Sequence, residues 1–200
     1  MLSRIAISEP RPFPKVLRYT DIRSYAFTLG FILLDVFVPR VFHQFYLAGP
    51  TFLPMHIFVL LAGLLFGWRA GLIVGLFTPL VSHAISGMPG LTILPQIIVE
   101  LSFYGLVAGL LREKFNLRVI WSLIGAMIAG RLALLLAALI IYIGGEIYSP
   151  VGLEVSPFAV LWSVIKQGWP GILIQLVSIP LIVKLLERFL EGNQVARSRK

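Results

Sequence analysis

The stretch from Phe52 to Ser86 carries only one Asp, Glu, Lys or Arg, at Arg69. At about 1.5 Å per residue a single helix over it would be roughly 50 Å long, against a hydrocarbon core of ~30 Å. The chain must therefore double back. Gly67-Trp68-Arg69-Ala70-Gly71 supplies the turn, with glycines, a charge and an interfacial aromatic. Phe52 to Phe66 and Ala70 to Ser86 then form two antiparallel spans. The glycines at 63, 67, 71 and 75 read as close-packing sites within that hairpin rather than a dimer seam.

Composition agrees with a bilayer protein. The chain is 58% hydrophobic and 13% charged, whereas soluble domains carry about 25% charged residues. It has no cysteine, which excludes disulfides, thiolate metal sites and cysteine nucleophiles. The net charge of +8 would raise the question of nucleic acid in a soluble protein. Here the basic residues fall between apolar spans, so membrane topology accounts for them and no nucleic-acid partner is implied.

The remaining spans follow the same length rule. They are Ile22 to Val38, Thr92 to Leu111, Val119 to Ile143 and Phe158 to Leu186, with the tight turn Ser86-Gly87-Met88-Pro89-Gly90 before the second of these. The expected fold is all-α, with six transmembrane helices in one domain over residues 22–190. Residues 1–21, with Arg4, Arg11, Lys15 and Arg18 and prolines at 10, 12 and 14, read as a cytoplasmic or interfacial lead-in, not a cleavable signal. Residues 191–200 read as a basic cytoplasmic tail. With the N-terminus inside, every one of the 17 Lys and Arg residues except Arg40, Arg131 and Lys166 falls on the cytoplasmic side. The positive-inside rule then places both termini in the cytoplasm of a multi-pass cell-membrane protein.

Ionisable groups inside such spans are costly and mark solute paths or internal pairs. Asp35, His43, His56, His83, Gln96, Glu100 and Lys166 all fall in the outer half by this topology, and Arg131 lies near mid-depth. Their common depth points to one chamber open to the exterior, with mutual pairing as the plainer alternative. Gln96, Glu100 and Tyr104 share a helix face. So do Trp162, Lys166 and Trp169, where the tryptophans offer flat surfaces for a ring. Pro170 removes the hydrogen bond to the carbonyl of Lys166 and its ring clashes there, so the sixth helix is expected to kink or break in Gly168-Trp169-Pro170-Gly171. Interrupted helices beside a charge are pointers to transporter sites.

Missing motifs narrow the function. There is no Gly-Lys pair, hence no phosphate-binding G-K-[ST] loop, and no G-x-S-x-G or H-E-x-x-H. An intramembrane enzyme built on His56, His83 and Glu100 would lack any motif that specifies a reaction. A membrane scaffold without a solute site is a second alternative. A metal-bearing ligand held by His43, His56 and His83 near Met55 and Met88 is a third. No cofactor is implied.

The motifs L-P-M-H-I at 53–57, L-L-A-G-L-L-F-G-W-R-A-G at 60–71, G-M-P-G at 87–90 and E-L-S-F-Y-G-L-V-A-G-L-L at 100–111 resemble those of the substrate-binding S components of energy-coupling factor transporters. That resemblance implies six membrane helices and an outward-facing pocket for a vitamin or related micronutrient. It also implies association with a membrane-embedded coupling (T) subunit and two cytoplasmic ATPases, in keeping with the missing nucleotide loop. Family members often show A-x-x-x-A in the first helix at the coupling-subunit contact. Ala26 matches the first position and Gly30 stands at the second. Gly keeps that surface small but departs from the pattern.

Overall fold

The computed structural model describes residues 22–44, 49–143 and 156–198, so the 1–21 lead-in and the connections at 45–48 and 144–155 lie outside the described residues. Within them every element is helical. The helices are α1 (Ile22–Gln44), α2 (Gly49–Phe52), α3 (Pro54–Phe66), α4 (Trp68–Ser86), α5 (Leu94–Glu113), α6 (Val119–Ile143) and α7 (Pro157–Ser198). Six of these are 13 residues or longer, and α2 is a single turn of 4. The α7 helix runs on through the basic segment read as a tail.

Among the described residues, four helices are long and apolar enough to cross a membrane: α4, α5, α6 and the Pro157–Phe189 part of α7. Their outer faces agree. On α6, Ile128, Leu132, Leu136 and Ile140 form an exposed stripe at four-residue spacing, and Leu173, Val177, Leu181 and Leu185 form another on α7. Apolar stripes of that extent would be untenable in water and suit acyl chains. This is an integral membrane protein. By contrast α3 is apolar but 13 residues long, about 20 Å, too short to span on its own.

The hairpin turn is tighter than the five-residue segment suggests. Gly67 alone, at φ 84°, joins α3 to α4. Its N–H closes α3 on the Gly63 carbonyl. The adjacent Trp68 N–H donates to Glu113 at the end of α5, and Arg112 pairs with Glu187 of α7 at 2.6 Å. The α3–α4 turn, the end of α5 and the lower part of α7 are thus tied together at one end of the bundle, the end richest in basic residues.

The glycine stripe packs the hairpin, and it also packs both arms against α5. A Cβ on Gly71 would run into the Gly105 carbonyl, and one on Gly105 into that of Gly71. Gly75 meets Leu101 backbone in the same way, Gly63 faces Gly105 and Gly109, and Gly109 abuts Trp68. Three helices therefore meet backbone to backbone. Small residues allow this in membranes, where association relies on close packing. Fully buried Val59, Leu60, Leu64, Val74, Leu101, Ala108, Leu123, Ala126, Ile179 and Val183 continue the core to α6 and α7.

The helix break expected at Pro170 is absent, for α7 continues through both Pro170 and Pro180. A break occurs instead at Leu53-Pro54, between α2 and α3. Leu53 takes the left-handed conformation, φ 49° and ψ 47°, between α2 and α3, which costs roughly 1–2 kcal/mol for an L-residue. A break inside a membrane must have its backbone groups satisfied by protein. The Leu53 carbonyl accepts from the His56 N–H at 3.1 Å and from the buried Gln175 Nε2 of α7 at 3.2 Å. Gly168 and Gly171 make room for it. A Cβ on Gly171 would stand 2.7 Å from the Phe52 carbonyl, and one on Gly168 would stand 3.0 Å from Leu53 Cδ1. The glycines around Pro170 seat a neighbour's break.

Candidate functional site

At the end away from the Arg112–Glu187 pair lies a cavity of about 340 Å³. Val36, Pro39 and Arg40 of α1, Leu53, and Pro54, Met55 and His56 of α3 form one side. Ser82 and Ser86 of α4, Met88 and Pro89 of the turn, and Ile93, Gln96, Ile97, Glu100 and Leu101 form another, completed by Arg131 and Leu134 of α6 and Val164 and Gln167 of α7.

Its polar end is built from three helices. Glu100 on α5 is 3% exposed. It accepts a hydrogen bond from Arg131 Nη1 of α6 at 2.6 Å, and its Oε1 lies 3.6 Å from His56 Nε2 of α3. A charge-assisted contact at 2.6 Å is at the strong end of such bonds, and pairing is what makes two charges tolerable at this depth. Arg131 retains Nε and Nη2 sealed from water without a hydrogen-bond partner.

The group is positioned from below. Tyr104, one turn past Glu100, is 1% exposed and sets its ring edge-on to His56, with centroids 4.9 Å apart. Gly130, the residue before Arg131, lies against that ring, and a Cβ there would collide with it. The Gln96-Glu100-Tyr104 face thus divides: Gln96 and Glu100 line the cavity, and Tyr104 lies beneath as support.

The turn after α4 forms the rim. Ser82 Oγ donates to the Met88 carbonyl at 2.8 Å and Ser86 Oγ to the Ser82 carbonyl at 2.7 Å. His83 Nδ1 lies 2.8 Å from the Pro89 carbonyl oxygen, and since a carbonyl only accepts, Nδ1 carries the proton. His83 therefore ties the turn down and stands outside the cavity wall.

The other residues singled out in the sequence scatter. Asp35 is fully buried but sits off the cavity, near Thr78 of α4. Neither of its carboxylate oxygens makes a hydrogen bond of ordinary geometry. Its neighbour Val36 faces the cavity instead. Trp162 and Trp169 are 67% and 57% exposed, and Lys166 is exposed with them. That face of α7 points away from the cavity, which receives Val164 and Gln167. The His43 side chain lies outside the described residues. Ala26 is exposed on α1 and a Cβ on Gly30 would meet nothing within 4 Å, so this small-residue surface is uncovered. No group of three or more His, Asp or Glu among the described residues is placed to hold a metal ion.

An all-helical membrane bundle with a small pocket lined by a buried ion pair is the build of a solute-capture subunit. The chain belongs to the family described as ECF transporter, substrate-specific component, whose model matches residues 26–183. No curated protein and no solved structure matches it. It is the substrate-specific subunit of an energy-coupling factor transporter, a transport component rather than a member of an enzyme family.

Proposed function

We propose that this subunit captures a vitamin or related micronutrient from the cell exterior, in the cavity beside His56, Glu100 and Arg131, for uptake driven by partner subunits. The observation that carries the proposal is the meeting of Glu100 and Arg131 at 2.6 Å in the wall of a cavity of ligand size. A bundle needing only stability gains little from such a pair, because apolar residues of similar volume are often as stabilising. Gln96 is a further polar contact, and Gln167 joins it on the α7 side. In this proposal Asp35, His83, Lys166, Trp162 and Trp169 act away from the solute.

The proposed topology has six membrane passages, with α2 and α3 together making the second, and both termini in the cytoplasm of the cell membrane. It rests on the basic residues at the end opposite the cavity and on the positive-inside rule. The partners are a membrane-embedded coupling subunit, docking on α1 around Ala26 and Gly30, and two cytoplasmic ATPases. The test is to purify the protein, denature it and identify released compounds by mass spectrometry, alongside binding to a panel of water-soluble micronutrients. A stoichiometric small molecule is expected. An empty extract together with no binding across the panel contradicts capture and favours a scaffold.

A further inference from the structure

We infer that α1 and α4 form a site for a small monovalent cation such as Na⁺, built on Asp35 and Thr78 behind the wall of the cavity. Burial is the first argument. Asp35 and Thr78 are both 0% exposed, and they stand close together where α1 packs on α4. Neither carboxylate oxygen of Asp35 makes a hydrogen bond of ordinary geometry, and nor does Thr78 Oγ1. A carboxylate and a hydroxyl sealed in the bundle are therefore both short of a partner, which is costly for each.

Charge is the second argument. The ion pairs among the described residues take up Glu100, Glu113 and Glu187, and none includes Asp35. Arg40, five residues on, is exposed at the cavity rim. A buried carboxylate without a cation is strongly destabilising, and acids inside membrane spans mark ion paths for that reason. One positive charge beside Asp35 removes the cost, whereas a divalent ion would leave an excess charge in its place.

Donor chemistry is the third argument. Pro39 has no N–H for the Asp35 carbonyl four residues back, and Pro79 has none for that of Gly75. The turns that carry the carboxylate and the hydroxyl thus also carry backbone oxygens without their usual helical donor. Carboxylate, hydroxyl and carbonyl oxygens suit hard cations and need no imidazole. In membrane transport proteins, backbone carbonyls freed from helical pairing coordinate Na⁺. Val36 and Pro39 beside Asp35, and Ser82 one turn above Thr78, line the cavity. A cation at Asp35 ties α1 to α4 directly behind them.

The experiment needs only the metal ion. Thermal unfolding of the purified full chain in detergent is followed as choline chloride is replaced by sodium chloride, at constant ionic strength and mildly alkaline pH. Tm should rise with sodium, by about 3 °C or more for each tenfold increase beyond half-saturation. Asp35→Asn should fold and lose that rise. Thr78→Val keeps the carboxylate and should need about tenfold more sodium for the same rise. A wild-type Tm indifferent to sodium overturns the inference and leaves Asp35 a protonated acid. An Asp35→Asn or Thr78→Val variant that responds as the wild type does also overturns it, because the ion then sits elsewhere. Should Asp35→Asn yield no folded protein, the wild-type and Thr78→Val titrations decide. Solute capture is judged separately, by the compound released on denaturation, and stands or falls without this site.

Discussion

Two parts of this bundle are built on glycine and put it to opposite uses. Between α4 and α5, Gly71, Gly75 and Gly105 let backbone lie on backbone, leaving no room for a Cβ at the contact. On α7, Gly168 and Gly171 admit the broken end of α3 and the flank of Arg131, and a cavity opens beside them. The first region is a closely packed wall. The second keeps a strained residue, Leu53, whose carbonyl is held by Gln175, and a buried ion pair. Similar small-residue content therefore says nothing by itself about whether a helix face is scaffold or site. What separates the two is whether the opposing surface is continuous helix or a break with polar groups to satisfy.

Substitutions should separate the two regions. The largest effect is expected from Gly105→Val, because the opposing atoms are Gly71 backbone and cannot turn aside. We predict destabilisation of about 3 kcal/mol or more, or loss of folded protein, read by thermal unfolding in detergent. Glu100→Ala comes next, at about 3–5 kcal/mol, since it leaves Arg131 buried without its partner. Unlike the glycine change, its damage should be largely relieved when Arg131 is also made neutral. Gln175→Leu should cost about 1–3 kcal/mol through loss of the donor to Leu53, and should lower solute retention although Gln175 does not line the cavity. Trp162→Ala and Gly30→Leu should each shift stability by less than about 1 kcal/mol. Neither should alter solute retention, and Gly30→Leu should weaken co-purification with the coupling subunit.

Much of the scaffold is legible from residue spacing and span length. A fold-back between Phe52 and Ser86 follows from length and its turn falls within the segment 67–71, though not its confinement to Gly67, and α6 occupies Val119–Ile143 as its apolar run predicts. The pairing of Gln96 with Glu100 at the cavity follows from four-residue spacing on α5. Rotation about a helix axis is not contained in such spacing. Trp162, Lys166 and Trp169 do share a face, but that face is the outer one, where tryptophan and a long lysine stem are at ease near headgroups. That α7 does not break at Pro170 has a related reason. Pro170 marks a missing donor, and in a membrane helix neighbours can make that good, so proline alone does not stop α7. The better signal is Gly49-Pro50 and Pro54 close together in sequence, with glycines at 168 and 171 against the segment they bracket and a buried Gln175 one turn further on. Arg131 meeting Glu100 fits the plainer alternative of mutual pairing, although spacing alone does not say which acid meets which base.

The central claim is that the cavity opens to the exterior, opposite the basic end of the bundle. Because the chain has no cysteine, single cysteines report on it cleanly. Gln167→Cys, in the cavity wall, and Lys114→Cys, exposed at the basic end beyond α5, would be treated in intact cells with a membrane-impermeant thiol reagent. The account predicts modification of Gln167→Cys and not of Lys114→Cys until the membrane is permeabilised, and the reverse pattern would contradict it.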